Sequence, residues 1–104
     1  MDEPDWSGDV KEVPSDETAQ LAGQALGAAL RKRRTELGLK QQEVAERAGL
    51  EYKHYQALEA GLSHYGTKAP ANPNFRHIMG LAEALSTNVP DLMFDVFGGI
   101  QYES

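Results

Sequence analysis

The chain has no cysteine among its 104 residues. A disulfide framework and a thiolate-ligated zinc or iron–sulfur site are therefore closed to it, which fits a reducing compartment. Long apolar runs are missing too: none approaches the roughly 20 residues that a bilayer-crossing helix needs. The opening residues are acidic and contain proline, unlike the basic-then-apolar run of a secretory leader, so no membrane association and a cytoplasmic location are expected. No Gly-rich phosphate loop follows a strand, and no Ser, His and acid set stands in a recognisable context. His54, His64 and His77 lack metal-ligand spacing. No catalytic residue, metal or cofactor is expected, and an enzyme reading has little to stand on.

What is present is ordinary for one small globular domain: 40% apolar and 25% charged residues. The net charge of −6 argues at first against a nucleic-acid partner, but its distribution reverses the argument. Residues 1–20 hold seven acids against Lys11, a net of −6, and the remainder holds nine acids and nine bases. The stretch 26–65 carries seven bases and five acids, so the body is locally basic. Residues 1–17, with two prolines, a glycine and the acid run, are expected to form a disordered arm. Its one large apolar residue is Trp6. The domain is expected over 18–95, and residues 96–104 as a tail with a dimer contact.

Helical spacing begins at Thr18 and runs to Leu37, with Leu21, Ala22, Ala25, Leu26, Ala29 and Leu30 on one broad face. Gly23 and Gly27 weaken this helix by about 1 kcal/mol each, and Gly38 stops it. A short helix follows from about Gln41 to Ala48, then a turn at Gly49-Leu50, then a third helix from about Glu51 or Tyr52 to Glu59 or Ala60, ended by Gly61. After a loop over 62–72, Asn72-Pro73 reads as an N-cap with proline at the first helical position of a fourth helix, about 73–86. A fifth short helix is expected at about 89–95. The fold class is all-α, a compact bundle of five short helices.

Two short helices joined by a glycine turn make a helix-turn-helix unit. Ala45 gives the second helix of the unit room to cross the first, and Gly49 accepts positive φ. Tyr55 and Leu58 point inward, leaving the outer face of that helix free to enter a major groove. The segments LGAALRKRRTELGLKQQEVAERAGL, YQALEAG and NPNFRHIMGLAEALSTNVPDLM, together about two-thirds of the chain, resemble the lambda-repressor-like, Xre/Cro type of helix-turn-helix domain.

That resemblance implies a sequence-specific DNA-binding transcriptional regulator. The expected form is a homodimeric repressor reading a pseudo-palindromic operator in duplex DNA. It also implies residue roles. Lys40, Gln41 and Gln42 stand at the start of the second helix, where backbone N–H groups and side chains grip a phosphate. Lys40 replaces the family's usual Ser or Thr cap. Tyr52, Lys53, Gln56 and Ala57 occupy the base-reading positions, with His54 beside them as a phosphate contact or a solvated residue. Lys53 is suited to guanine, Gln56 to adenine and Ala57 to a thymine methyl. Arg34 and Glu59 match the family's structural ion pair, which leaves Arg31, Lys32, Arg33 and Arg47 as solvated or phosphate-directed charges. The connection from Gly61 to Pro73 is longer than the family's and carries His64, Tyr65 and Lys68; it is either a wing that touches DNA, with Lys68 as contact, or a plain surface loop. The competing reading is a protein-interaction module or antitoxin-like protein, whose helical domain or acidic arm binds a partner protein.

Overall fold

The computed structural model describes residues 16–63, 66, 69–98 and 100. Among the described residues five helices follow one another: α1 Asp16–Glu36, α2 Gln41–Ala48, α3 Tyr52–Glu59, α4 Phe75–Ala84 and α5 Val89–Gly98. Most of the acidic arm, residues 1–15, lies outside the described residues, but Asp16 and Glu17 are not part of an arm: they form the first turn of α1. Acids suit that end of a helix dipole, as Arg33 and Arg34 suit the last turn.

The core draws on every helix. Leu26 and Leu30 of α1, Val44 and Ala45 of α2, Tyr55 and Leu58 of α3, Leu81, Ala82, Ala84 and Leu85 of α4, and Leu92 and Val96 of α5 are buried together with Leu50. Leu21, expected on the inner face of α1, is half exposed. Gly27 is where α3 crosses α1. A Cβ there would collide with the Glu59 carbonyl oxygen and stand 2.8 Å from that of Leu58. The same holds between α4 and α2, where a Cβ on Gly80 would stand 2.6 Å from the Ala48 carbonyl oxygen. Glycine in α1 thus costs helix propensity and permits backbone contact that any side chain would prevent.

Two further boundaries differ from expectation. Helix α4 starts at Phe75, capped by Asn74, whose Oδ1 accepts the His77 N–H at 2.8 Å. Asn72 therefore does not cap, and Pro73 precedes the helix; two nearby asparagines offered the same local signal, and only Asn74 has the N–H three residues on within reach. Helix α5 continues to Gly98, past the expected end at residue 95, because Val96 extends its inward face and is buried. Its start is capped by Asn88, whose Oδ1 accepts the Asp91 N–H at 2.8 Å. Residues 96–98 thus belong to the domain and not to a tail.

The long connection between α3 and α4 is pinched at its base. An antiparallel bridge joins Leu62 to Pro70, Ser63 N–H donates to the Ala69 carbonyl at 3.0 Å, and Ala71 N–H donates to the Gly61 carbonyl at 2.8 Å. His64, Tyr65 and Lys68 lie outside the described residues. Among the described residues, no helix is long and apolar enough to cross a membrane, and no group of three or more metal-ligating side chains converges.

Candidate nucleic-acid interface

Helices α2 and α3 meet at a tight turn. Gly49 takes φ 74°, a left-handed conformation, and Leu50 N–H returns to the Ala45 carbonyl at 2.9 Å. Leu50, Tyr55 and Leu58 then face the core, which turns the opposite side of α3 outward. On that side Tyr52 is 42% exposed, Lys53 is exposed and Gln56 is half-buried. At the start of α2, Lys40 and Gln42 are exposed and Gln41 is half-buried. Lys40 makes no side-chain cap, but Glu43 closes back on it, its Oε1 accepting the Lys40 N–H at 2.9 Å. Glu three residues after the cap position is half of a capping box, and was readable in the sequence.

Behind this surface lies a polar chain. Arg34 Nε donates to Glu59 Oε2 at 2.6 Å and Arg34 Nη2 to Glu59 Oε1 at 3.0 Å. Arg34 Nη1 donates to the Leu39 carbonyl at 3.1 Å, fixing the link between α1 and α2. Gln41 Nε2 donates to Glu59 Oε1 at 3.0 Å, and Gln56 Nε2 donates to Gln41 Oε1 at 3.4 Å. Arg31, largely exposed, stands 3.6 Å from the same carboxylate. The Glu59 side chain is only 1% exposed. Burial alone would raise its pKa, but hydrogen bonds from Arg34 and Gln41, the neighbouring Tyr55 hydroxyl and the Arg34 charge outweigh that and hold it below the usual carboxylate value. The carboxylate holds Arg34 above its ordinary value against a smaller opposing effect of burial. The Tyr55 hydroxyl sits against the pair, buried and without a well-formed hydrogen bond; burial first, and then the carboxylate, push it well up.

Two expectations are corrected. Ala57 is fully buried, so it cannot touch a thymine methyl. The chain turns back after α3, with Leu62 N–H bonded to the Ala57 carbonyl at 2.9 Å. Arg33 is neither solvated nor aimed at phosphate: its Nε donates to the Leu85 carbonyl at 2.9 Å and its Nη2 to the Ser86 carbonyl at 3.0 Å, closing the end of α4. His54 is half-buried and packs edge-on against His77 of α4, ring centroids 5.2 Å apart. Lys68 lies outside the described residues.

Five helices, with α2, a glycine turn and α3 set against α1 and α4, decide the architecture. The chain has a helix-turn-helix fold. It is similar to the clp gene regulator ClgR from C. glutamicum, with a TM-score of 0.62 over 79% of this chain and 96% of that chain, at 24% identity. At that identity the likeness speaks for the fold. No model of a known protein family matches the sequence, and no curated protein sequence matches it. In the helix-turn-helix unit, the expected contacts Lys40, Gln41, Gln42, Tyr52, Lys53 and Gln56 all come from the first turn of α2 and the outer side of α3.

Proposed function

We propose that the chain is a sequence-specific DNA-binding regulator of transcription, a homodimeric repressor of the lambda-repressor-like type working in the cytoplasm. One observation carries the reading. The outer side of α3 presents Tyr52, Lys53 and Gln56, and the polar chain behind it locks α3 to the start of α2, where Lys40 and Gln42 stand free. Side chains that can read base edges thus sit on a rigid support beside groups that can hold phosphate. The likeness to a protein named as a gene regulator supports the same reading.

In this reading α3 enters the major groove. Lys53 donates to guanine, Gln56 meets adenine, and Lys40 with the N–H groups opening α2 grips the backbone. A single such domain spans about four to six base pairs, too few to select a site, so two copies read a pseudo-palindrome with half-sites one helical turn apart. The contact between copies lies on α5, where Phe94 and Phe97 remain exposed. The acidic residues 1–15 compete with DNA phosphates for the basic side chains and suppress non-specific binding.

Selection of bound sequences from a random duplex library tests the proposal. One enriched pseudo-palindrome is expected. No enrichment, together with stable capture of a single protein partner, would replace it with the protein-interaction reading.

A further inference from the structure

We infer that His54 and His77 form a binding site for one divalent transition-metal ion of the Cu2+, Ni2+ or Zn2+ class, which fastens the first turn of α3 to the first turn of α4. Such a site stands apart from DNA binding and needs no partner chain. Tyr52 and Lys53 share that turn of α3, so an ion held there steadies the end of the helix that the proposed function sets against bases.

The two histidines are far apart in sequence, and neither has a second histidine at ligand spacing on its own helix. The fold brings them together. His54 is the third residue of α3 and His77 the third of α4. Their imidazoles are both half-buried, with ring centroids 5.2 Å apart. An ion about 2.0–2.1 Å from one nitrogen of each ring lies about 3.2 Å from each ring centre, and a tetrahedral angle at the ion then sets the centres about 5.2 Å apart. The spacing that the ion requires is thus already present. The ring planes stand at 77°. The last side-chain torsion of histidine is soft, so each ring can aim a nitrogen at a shared ion while both helices stay where they are.

Both helices are held independently of any ion. Asn74 Oδ1 accepts the His77 N–H at 2.8 Å, which fixes the first turn of α4. One turn on, a Cβ on Gly80 would stand 2.6 Å from the Ala48 carbonyl oxygen, so α4 lies directly on α2. His54 precedes Tyr55, whose ring is fully buried and whose N–H donates to the Glu51 carbonyl at 3.0 Å. Ligands carried on two fixed helices lose little freedom when they bind, and an ion between them acts as a staple.

Donor chemistry selects the ion. Imidazole nitrogen suits Cu2+, Ni2+ and Zn2+, whereas Mg2+ and Ca2+ take oxygen ligands. Among the described residues no carboxylate joins the pair to make a group of three metal-ligating side chains. Water fills the remaining positions on the ion, and the affinity is lower than that of a closed four-ligand site. Exposed Lys53 and Arg76, adjacent in sequence to the two histidines, share the sign of the ion's charge and lower the affinity further.

The experiment uses the full chain, stripped with a chelator and without DNA, titrated with ZnCl2, NiCl2, CuCl2 or MgCl2. In long-range proton–nitrogen NMR spectra, the ring nitrogens of His54 and His77 are expected to shift together with ZnCl2, at a stoichiometry of one, while those of His64 stay in place. The urea midpoint should rise with NiCl2 concentration, and a chelator should reverse the rise. CuCl2 should bind more tightly than NiCl2 or ZnCl2, and MgCl2 should shift nothing. His54→Gln and His77→Gln should each weaken NiCl2 binding by at least about ten-fold, the smaller cost of disturbing even a metal's outer shell. His64→Gln should keep the binding. The NMR reading is made on the wild type, so it stands whether or not a variant folds. Ring nitrogens that do not move, movement of only one of the two rings, a loss in His64→Gln as large as in the other variants, or the same shifts with MgCl2 would each overturn the inference.

Discussion

Arg34 and Glu59 are joined by two parallel hydrogen bonds, 2.6 and 3.0 Å long, that tie the last turn of α1 to the last turn of α3. The carboxylate is buried and the guanidinium side chain is 18% exposed. Removing the arginine strands a buried charge, whereas removing the acid leaves an arginine that can turn to water. Arg34→Ala is expected to destabilise the fold by about 3 kcal/mol, the low end for a broken buried pair, because Gln41 still donates to Glu59. Glu59→Ala should cost less. Urea unfolding of both variants checks the order, and equal midpoints with the wild type would remove the pair as a support.

The same pair predicts acid sensitivity. The carboxyl of Glu59 is held below its unfolded value of 4.5, so it binds its proton more readily in the unfolded chain. Its contribution is fully present above pH 4.5 and is lost as pH falls through the lower, folded value. The stability gap between wild type and Glu59→Gln should therefore narrow on acidification below pH 4.5, read as converging urea midpoints. At the alkaline end, Tyr55 is raised from 10.0, so its contribution is lost as pH rises above 10.0, and Tyr55→Phe should flatten that limb.

Base reading and phosphate holding separate by salt. Lys53→Ala is expected to weaken specific binding by about 1–3 kcal/mol and relax preference at one base pair. Lys40→Ala should weaken specific and random duplexes alike and lower the slope of log affinity against log salt by about one. Titrations at several salt concentrations read both. Unchanged affinity and preference in Lys53→Ala would misplace the reading face.

The bounds of α2 and α3 were legible because their signals are local. Gly38, Gly49 and Gly61 end segments with helical spacing, and Tyr55 and Leu58 mark the inner side. Errors arose where a distant segment decided the matter. Gly27 reads as a weak point in a helix until α3 is seen against it. Arg33 reads as a free cation until the end of α4 arrives beneath it. Ala57 lies between inward and outward positions on α3, and the packing of the whole domain buries it. In the site, residue types were readable, but the link from Glu59 through Gln41 to Gln56 joins three places far apart in sequence.

Homodimer formation is expected through α5. Of the apolar residues near the end of the chain, Leu92 and Val96 are consumed by the domain's own core, while Phe94 is 75% and Phe97 44% exposed. Three residues apart on one helix, they leave an apolar face that a second copy can cover. Phe94→Glu combined with Phe97→Glu should give a monomer by sedimentation with helix content unchanged. Operator affinity should fall more than affinity for a random duplex, since only the operator uses two half-sites. A wild type that stays monomeric at high micromolar concentration, with and without operator, would refute this.

The acidic residues preceding α1 are expected to weaken DNA binding. Residues 1–15 hold five acids and Lys11, a net of −4, and join the fold at Asp16. Fifteen residues can extend up to about 50 Å, enough to reach any side of a small domain. Exposed Lys40, Arg47 and Lys53 are the cations for which this segment competes with phosphate. Screening over about 8–10 Å at ordinary salt keeps the effect modest. Non-specific duplexes should lose most, because their binding is almost wholly electrostatic, whereas an operator keeps its base contacts. Removing residues 1–15 should therefore raise affinity for random duplex more than for operator, at low salt above all. The sole tryptophan, Trp6, gives a reading without DNA. Its fluorescence anisotropy should fall as salt rises, and fall likewise in a Lys40→Glu, Lys53→Glu double variant at low salt. Equal affinities for intact and shortened chains, with an anisotropy indifferent to salt, would exclude competition and leave a separate protein partner as the role of the segment.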